Sequence, residues 1–156
     1  MPNVNKENQD ICIVNANINN KPWEHFFAVC DGHGQHGHQI SALIKTHLTS
    51  LIGAKPDFHQ RPQENIYKAF QNTFQALIKE TQIDTHTSGS TVVSVYIHEN
   101  KLYCGNAGDS RAVLCSKEPR SGRWVAKPLS NDHKPTHPQE AQRILMFNGR
   151  LESLKD

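Results

Sequence analysis

Asp31-Gly-His-Gly34 follows directly on the apolar run Phe26-Phe-Ala-Val-Cys30. A carboxylate at the open end of a buried strand is held rigidly and suits the binding or bridging of divalent cations, and a glycine beside it lets the backbone approach the ion. As a bare dipeptide, Asp-Gly also makes a simple turn. The same stretch satisfies a nucleotide pattern, because Gly32, Gly34 and Gly37 stand as G-x-G-x-x-G between a predicted strand and a predicted helix, with Asp57 ~20 residues further on. A dinucleotide fold needs that acid at the end of the next parallel strand, whereas Asp57 falls in a Pro-bounded stretch between two predicted helices. His33, His36 and His38 raise a zinc site, but no cysteine pair and no second His pair accompanies them at finger-like spacing.

Four other segments carry polar residues in a pattern that a core does not require. They are Asn8-Gln-Asp10, Ser88-Gly-Ser-Thr91, Gly105-Asn-Ala-Gly-Asp-Ser-Arg111 and Leu129-Ser-Asn-Asp-His-Lys-Pro135. Asp109 is open to two readings, a metal carboxylate or a member of a Gly-Asp-Ser turn. Ser88 to Ser90 and Asp132 to Pro135 are read as structural, through turns and helix caps.

The elements that must position these residues come from hydrophobic periodicity. Ile11 to Val14 and His25 to Cys30 read as strands joined by a turn-rich loop. Ile40, Leu43, Ile44, Leu48, Leu51 and Ile52 recur at helical spacing, with Gly53 as a stop, and Ile66, Ala69, Phe70, Phe74, Leu77 and Ile78 mark a second helical face. From Ser88 the period changes to two. Val93, Val95 and Ile97 alternate with polar residues, Glu99-Asn100 offers a tight turn, and Leu102 to Cys104, Ala112 to Leu114 and Trp124 to Leu129 continue as an antiparallel meander. Pro138 to Phe147 gives a last helix, stopped by Asn148-Gly149. The order β-β-α-α-β-β-β-β-α groups its helices, which points to an α+β layered fold over a doubly wound parallel sheet.

Composition sets the outer bounds. The chain of 156 residues suits one domain, with a formal charge of +2 and basic residues scattered apart from the short run Lys117, Arg120 and Arg123. A nucleic-acid footprint needs a stripe of positive charge, so no nucleic-acid partner is expected. No segment approaches the roughly 18 apolar residues of a membrane span, and the first ten residues hold no apolar run. The expected setting is soluble and cytoplasmic, with Cys12, Cys30, Cys104 and Cys115 as reduced thiols buried like small hydrophobes.

The five polar segments, from Asn8-Gln-Asp10 to Asp132-His-Lys-Pro135, occur in an order and spacing that resembles the successive motifs of type 2C protein phosphatases, metal-dependent serine/threonine phosphatases. The resemblance covers essentially the whole chain. It implies a four-layer α-β-β-α sandwich, present here as its N-terminal half, so that residues 1–156 form a partial domain that lacks the C-terminal half. It further implies two Mg²⁺ or Mn²⁺ ions, with a weaker third in some members. Asp31 matches the bridging carboxylate, the Gly32 carbonyl and Asp10 match further ligands, and Asp109 matches a carboxylate that serves the third ion. His33 matches the proposed general acid, and the implied substrate is a phosphorylated protein.

Two positions depart from the better-known family pattern. Gln9 stands where many members have a Glu ligand, and Asn5 where many have an Arg that grips phosphate, a bidentate role that Lys6 does not replace. Members also carry two further metal-binding Asp residues in their C-terminal half. A chain without them has too few hard oxygen ligands to hold two ions tightly. Three expectations follow. The parent protein is an active phosphatase of which this chain is an inactive part. Alternatively, the half-fold is a non-catalytic binding or scaffold module, completed by the missing half or by a protein in its place. The third is a nucleotide-binding protein built on the glycine fingerprint.

Overall fold

The computed structural model describes residues 7–80 and 82–152. Asn5 and Lys6, and the question of a phosphate-gripping Arg, lie outside the described residues. Two strands, Ile11–Asn15 (β1) and Glu24–Cys30 (β2), pair antiparallel through a loop whose Asn17, Asn19 and Asn20 adopt left-handed backbone. Asparagine tolerates that region better than most residues, which is why this turn is so rich in it. A two-residue strand, Gly32–His33 (β3), leads into the helix Gly37–Gly53 (α1), and Pro62 opens the helix Pro62–Lys79 (α2) at its first position. Gly89–Ser90 (β4) pairs with β3, and Val92–His98 (β5) and Lys101–Ala107 (β6) form a hairpin about Glu99-Asn100. The main sheet has the order β1-β2-β5-β6 and is antiparallel throughout.

One face of this sheet and the two helices enclose the core. Ile13, Phe26, Ala28, Cys30, Val92 and Tyr96 meet Ile40, Ile44, Leu48 and Ile52 of α1 and Ile66 and Ala69 of α2. Phe58, in the link between the helices, packs its ring 4.9 Å from that of Tyr96. The core also contains a carboxylate: Glu24 is fully buried, accepts the Tyr96 hydroxyl at 2.6 Å and faces Lys21 Nζ at 3.2 Å. A buried charge is tolerated when it is paired and hydrogen-bonded in this way, and the same burial and carboxylate push the Tyr96 phenol upward.

The other face of the sheet is apolar and largely uncovered. Register places Val14, Phe27, Val95 and Cys104 in one row across the four strands, and Cys12, Val29 and Val93 in the next. Val14 is 70% exposed, Val29 48% and Phe27 37%. The alternation Val93, Val95, Ile97 thus lies on this face, with Val93 itself buried and Val95 and Ile97 half-buried, while Val92, Ser94 and Tyr96 point to the helices.

Four expectations are corrected. The meander does not continue past β6: Val113–Lys117 (β7) pairs only with Trp124–Pro128 (β8) in a separate ribbon. The chain leaves the sheet at Gly108, whose φ of 103° is a left-handed conformation that L side chains resist. On α2, Phe74 and Ile78 are exposed, because the packed face runs through Ile66, Ala69 and Thr73 to the partly buried Leu77 and they lie beside it. Cys12 and Cys115 are exposed rather than buried, since they stand on the open sheet face and on the ribbon; Cys30 alone is fully buried. Ser88 to Ser90 also act otherwise than as a turn or cap, as shown below. The last helix, Pro138–Met146 (α3), has no buried residue, and the left-handed stop after it is Asn148. No helix among the described residues is long and apolar enough to cross a membrane.

Candidate active site

Cys30, at the end of the interior strand β2, is fully buried, and the next side chain, Asp31, is exposed. The abrupt change follows from strand alternation carried past the end of the strand, and it delivers a carboxylate to solvent from a fixed backbone. That backbone is clamped on Thr91: the Thr91 amide donates to the Asp31 carbonyl at 2.9 Å, and the Asp31 amide donates to Thr91 Oγ1 at 3.1 Å.

The glycines that follow are there for close approach. A Cβ on Gly32 would lie 2.6 Å from the Gly37 carbonyl oxygen and 2.7 Å from that of Gln9. Gly34 has φ of 81°, and a Cβ there would meet the Thr87 carbonyl oxygen at 2.3 Å. The G-x-G-x-x-G spacing is therefore explained by packing. Asp57 stands in the link between α1 and α2, the sheet holds no parallel pair among the described residues, and the nucleotide reading has no βαβ unit to rest on.

Gln9 is engaged with the glycine loop. Its Nε2 donates to the Gly34 carbonyl at 2.8 Å, and its own carbonyl accepts the Ser41 hydroxyl at 2.8 Å. The adjacent Asp10 is exposed, its amide bonded to Asn8 Oδ1 at 3.0 Å. His33 lies over Gly89: a Cβ at that glycine would come within 2.8 Å of His33 Nε2. Ser88 Oγ accepts the His36 amide at 3.1 Å and so ties the start of α1 to the β4 segment. Sequence reading missed Ser88, Gly89 and Thr91 as parts of the site. The signal was present as a run of small and hydroxyl residues immediately before a strand, which a turn alone does not require.

Asp109 sits in the bend after β6, exposed, with Lys134 Nζ 3.9 Å from its carboxylate. Its neighbour Ser110 shares a 2.7 Å hydrogen bond with Thr91 Oγ1. Behind this bend, Arg111 makes a bidentate pair with Asp132, both bonds 2.8 Å. The Arg111 side chain holds the Asp132 carboxyl below its ordinary range. The structural reading of Asp132 holds, with an ion pair as its cause.

Asp31, the Gly32 carbonyl, Asp10 and Asp109 are hard oxygen donors, the chemistry that Mg²⁺ and Mn²⁺ select. Among the described residues no group of three or more His, Cys, Asp or Glu side chains is placed to hold a metal ion, so these donors fit the ion in kind and supply only part of its shell. The same finding removes zinc at His33, His36 and His38.

The chain is similar to known proteins in both sequence and fold. The family model of protein phosphatase 2C matches residues 1–155. Probable protein phosphatase 2C 35 of Arabidopsis thaliana is 34% identical over 157 residues, which cover 97% of this chain and 44% of that protein. Protein phosphatase 2C homolog 3 of Schizosaccharomyces pombe is 42% identical over 125 residues, 80% of this chain and 28% of that one. Among solved structures, a serine-threonine phosphatase 2C from Toxoplasma gondii superposes with TM-score 0.67 at 19% identity, covering 88% of this chain and 54% of that one. The catalytic domain of the phosphatase PstP, in complex with two manganese ions, gives TM-score 0.58 at 20% identity and covers 93% and 56%. The chain thus spans less than half the length of these curated relatives and a little over half of the solved chains. By its match to the family model over residues 1–155 and its fold, this chain belongs to the protein phosphatase 2C family.

Proposed function

We propose that this chain supplies the metal-bridging and proton-donating part of an enzyme that hydrolyses phosphoserine and phosphothreonine in proteins. The observation that carries the reading is the exposed Asp31 carboxylate on a fully buried strand end, with its backbone fixed from both sides by Thr91. Asp31 and the Gly32 carbonyl would hold a pair of Mg²⁺ or Mn²⁺ ions, with Asp10 as a further ligand and Asp109 serving a third, weaker one. Bound ions of this kind activate the attacking water and neutralise charge on the phosphoryl group. His33 holds a proton for the departing seryl or threonyl oxygen, a task suited to imidazole near neutral pH. His33 lies close over Gly89, and a side chain at position 89 would displace its ring.

A second reading, a non-catalytic binding module, is favoured by two observations: Gln9 is spent on the Gly34 carbonyl, and the described residues gather no three-ligand cluster. The two readings are compatible if the remaining carboxylates come from a C-terminal half. Residues 1–156 alone are then expected to show no Mn²⁺-dependent hydrolysis of a phosphoserine peptide. Robust turnover by this chain that disappears in Asp31→Asn would contradict the incomplete site.

A further inference from the structure

Asp31 and Asp109 lie 78 residues apart in sequence, at the ends of strands that are not sheet neighbours, β2 and β6. Between them runs β5, and its approach residue, Thr91, is 8% exposed. The Thr91 hydroxyl oxygen accepts the Asp31 amide at 3.1 Å and shares a 2.7 Å hydrogen bond with Ser110 Oγ. A threonine hydroxyl has one proton and two lone pairs, so it can accept from Asp31 and donate to Ser110 at once. The other branch of the same side chain is also used: a Cβ added to Gly108 would lie 2.7 Å from Thr91 Cγ2, so the methyl group seats Gly108. The Gly108 carbonyl is held in turn by the His133 amide at 3.0 Å and by Asn106 Nδ2 at 3.0 Å.

We propose that Thr91 is a positioning residue that couples the two candidate metal segments, its hydroxyl joining the Asp31 backbone to Ser110 and its methyl seating Gly108, so that it fixes both neighbours of Asp109 relative to Asp31. The proposal rests on the phosphatase reading for the function of the two carboxylates, and on the hydrogen bonds above for the coupling itself. Among the described residues no other side chain hydrogen-bonds to both segments. Valine at position 91 would keep the shape and lose the hydroxyl. Serine would keep the hydroxyl and lose the seat for Gly108.

The test uses the ¹⁵N-labelled chain of residues 1–156, with amide hydrogen exchange and Mn²⁺-induced line broadening as readouts. Broadening detects weak ion binding and needs no turnover. In Thr91→Val the Asp31 amide is expected to exchange about tenfold faster or more, the effect of leaving a donor without its partner. In Thr91→Ser it is expected to stay within about twofold of the native rate, while amides around Gly108 loosen. In the native chain, Mn²⁺ broadens the Gly32 and Asp109 amides over the same concentration range; in Thr91→Val, Asp109 is expected to need about tenfold more ion than Gly32. Native Asp31 exchange in Thr91→Val, or coincident broadening in that variant, overturns the coupling. Asp31→Asn distinguishes this from failure of the parent reading. It is expected to remove the broadening, and broadening that survives it overturns the metal role on which the functional part of the proposal rests, with exchange in Thr91→Val still deciding whether the coupling exists.

Discussion

The two ends of the chain are built to different degrees. Residues up to Ala107 close a core between the four-stranded sheet and α1 and α2, with Phe26, Leu48, Phe58 and Tyr96 nearly or fully inaccessible. From Gly108 to Glu152 no residue is buried, although β7, β8 and α3 carry Val113, Leu114, Trp124, Val125, Leu145 and Met146 in patterns that ordinarily face a core. The difference is one of partners. The first region finds its own apolar complement, while the second presents apolar surface, as the open face of the main sheet does, with nothing among the described residues to receive it. The candidate site lies at the junction: Asp31 and His33 belong to the first region, and Asp109 opens the second.

The largest effect that can test this contrast is a pair of truncations. Phe58→Ala removes a ring that is 1% exposed and is expected to cost about 3–5 kcal/mol in stability. Phe147→Ala removes one that is 76% exposed and is expected to change stability by no more than about 0.5 kcal/mol. Chemical denaturation of both variants measures the difference, and equal costs would break the comparison.

Thiol chemistry sharpens it. Burial pushes the Cys30 thiol up to about 11, whereas Cys12 and Cys115 are exposed. At pH 8 a thiol reagent is expected to modify Cys12 and Cys115 readily and to leave Cys30 untouched until the protein unfolds. Because the folded value is raised, the neutral Cys30 thiol supports the native state fully below the ordinary value of 9.0, and this contribution is lost as pH rises toward about 11. Cys30→Ala should remove that alkaline dependence in a pH series of thermal melts.

The smallest effect concerns the clamp behind Asp109, in which the Arg111 side chain is 55% exposed and that of Asp132 5%. Arg111 lowers the Asp132 carboxyl, so the pair contributes above the ordinary carboxylate value of 3.8 and its contribution disappears as pH falls through the lower folded value. Asp132→Asn should flatten the acid limb of the stability profile only slightly, because the Arg111 guanidinium stands largely in solvent, where its attraction is weakened and screened by salt. A large loss at neutral pH would mean that the second region is better ordered than its exposure implies.

Much of the first region was legible in the sequence. Helical spacing of Ile40, Ile44, Leu48 and Ile52 and the strand run before Asp31 fix where the core and the exposed carboxylate stand. Periodicity alone could not tell which face of β5 would be covered, since Val93, Val95 and Ile97 are as apolar as a core face; long-range pairing decides that. It also could not reveal that the meander leaves the sheet at Gly108, a matter of one backbone angle. Within the site, Asp31, His33 and Asp109 are conspicuous by residue type and flanking glycines. Ser88, Gly89 and Thr91 act through contacts with residues more than fifty positions away, which no local pattern displays.

The most direct test joins this chain to the C-terminal half of a phosphatase 2C relative and measures the initial rate of phosphoserine-peptide hydrolysis against Mn²⁺ concentration. The completed protein is expected to be Mn²⁺-dependent. Asp31→Asn should fall to background at every ion concentration, because Asp31 would touch both ions, whereas His33→Ala should lose roughly 10²–10⁴-fold, the usual worth of general acid assistance. An Asp31→Asn protein that keeps a near-native rate at saturating Mn²⁺ would contradict the assignment of Asp31 as the metal bridge and the function built on it.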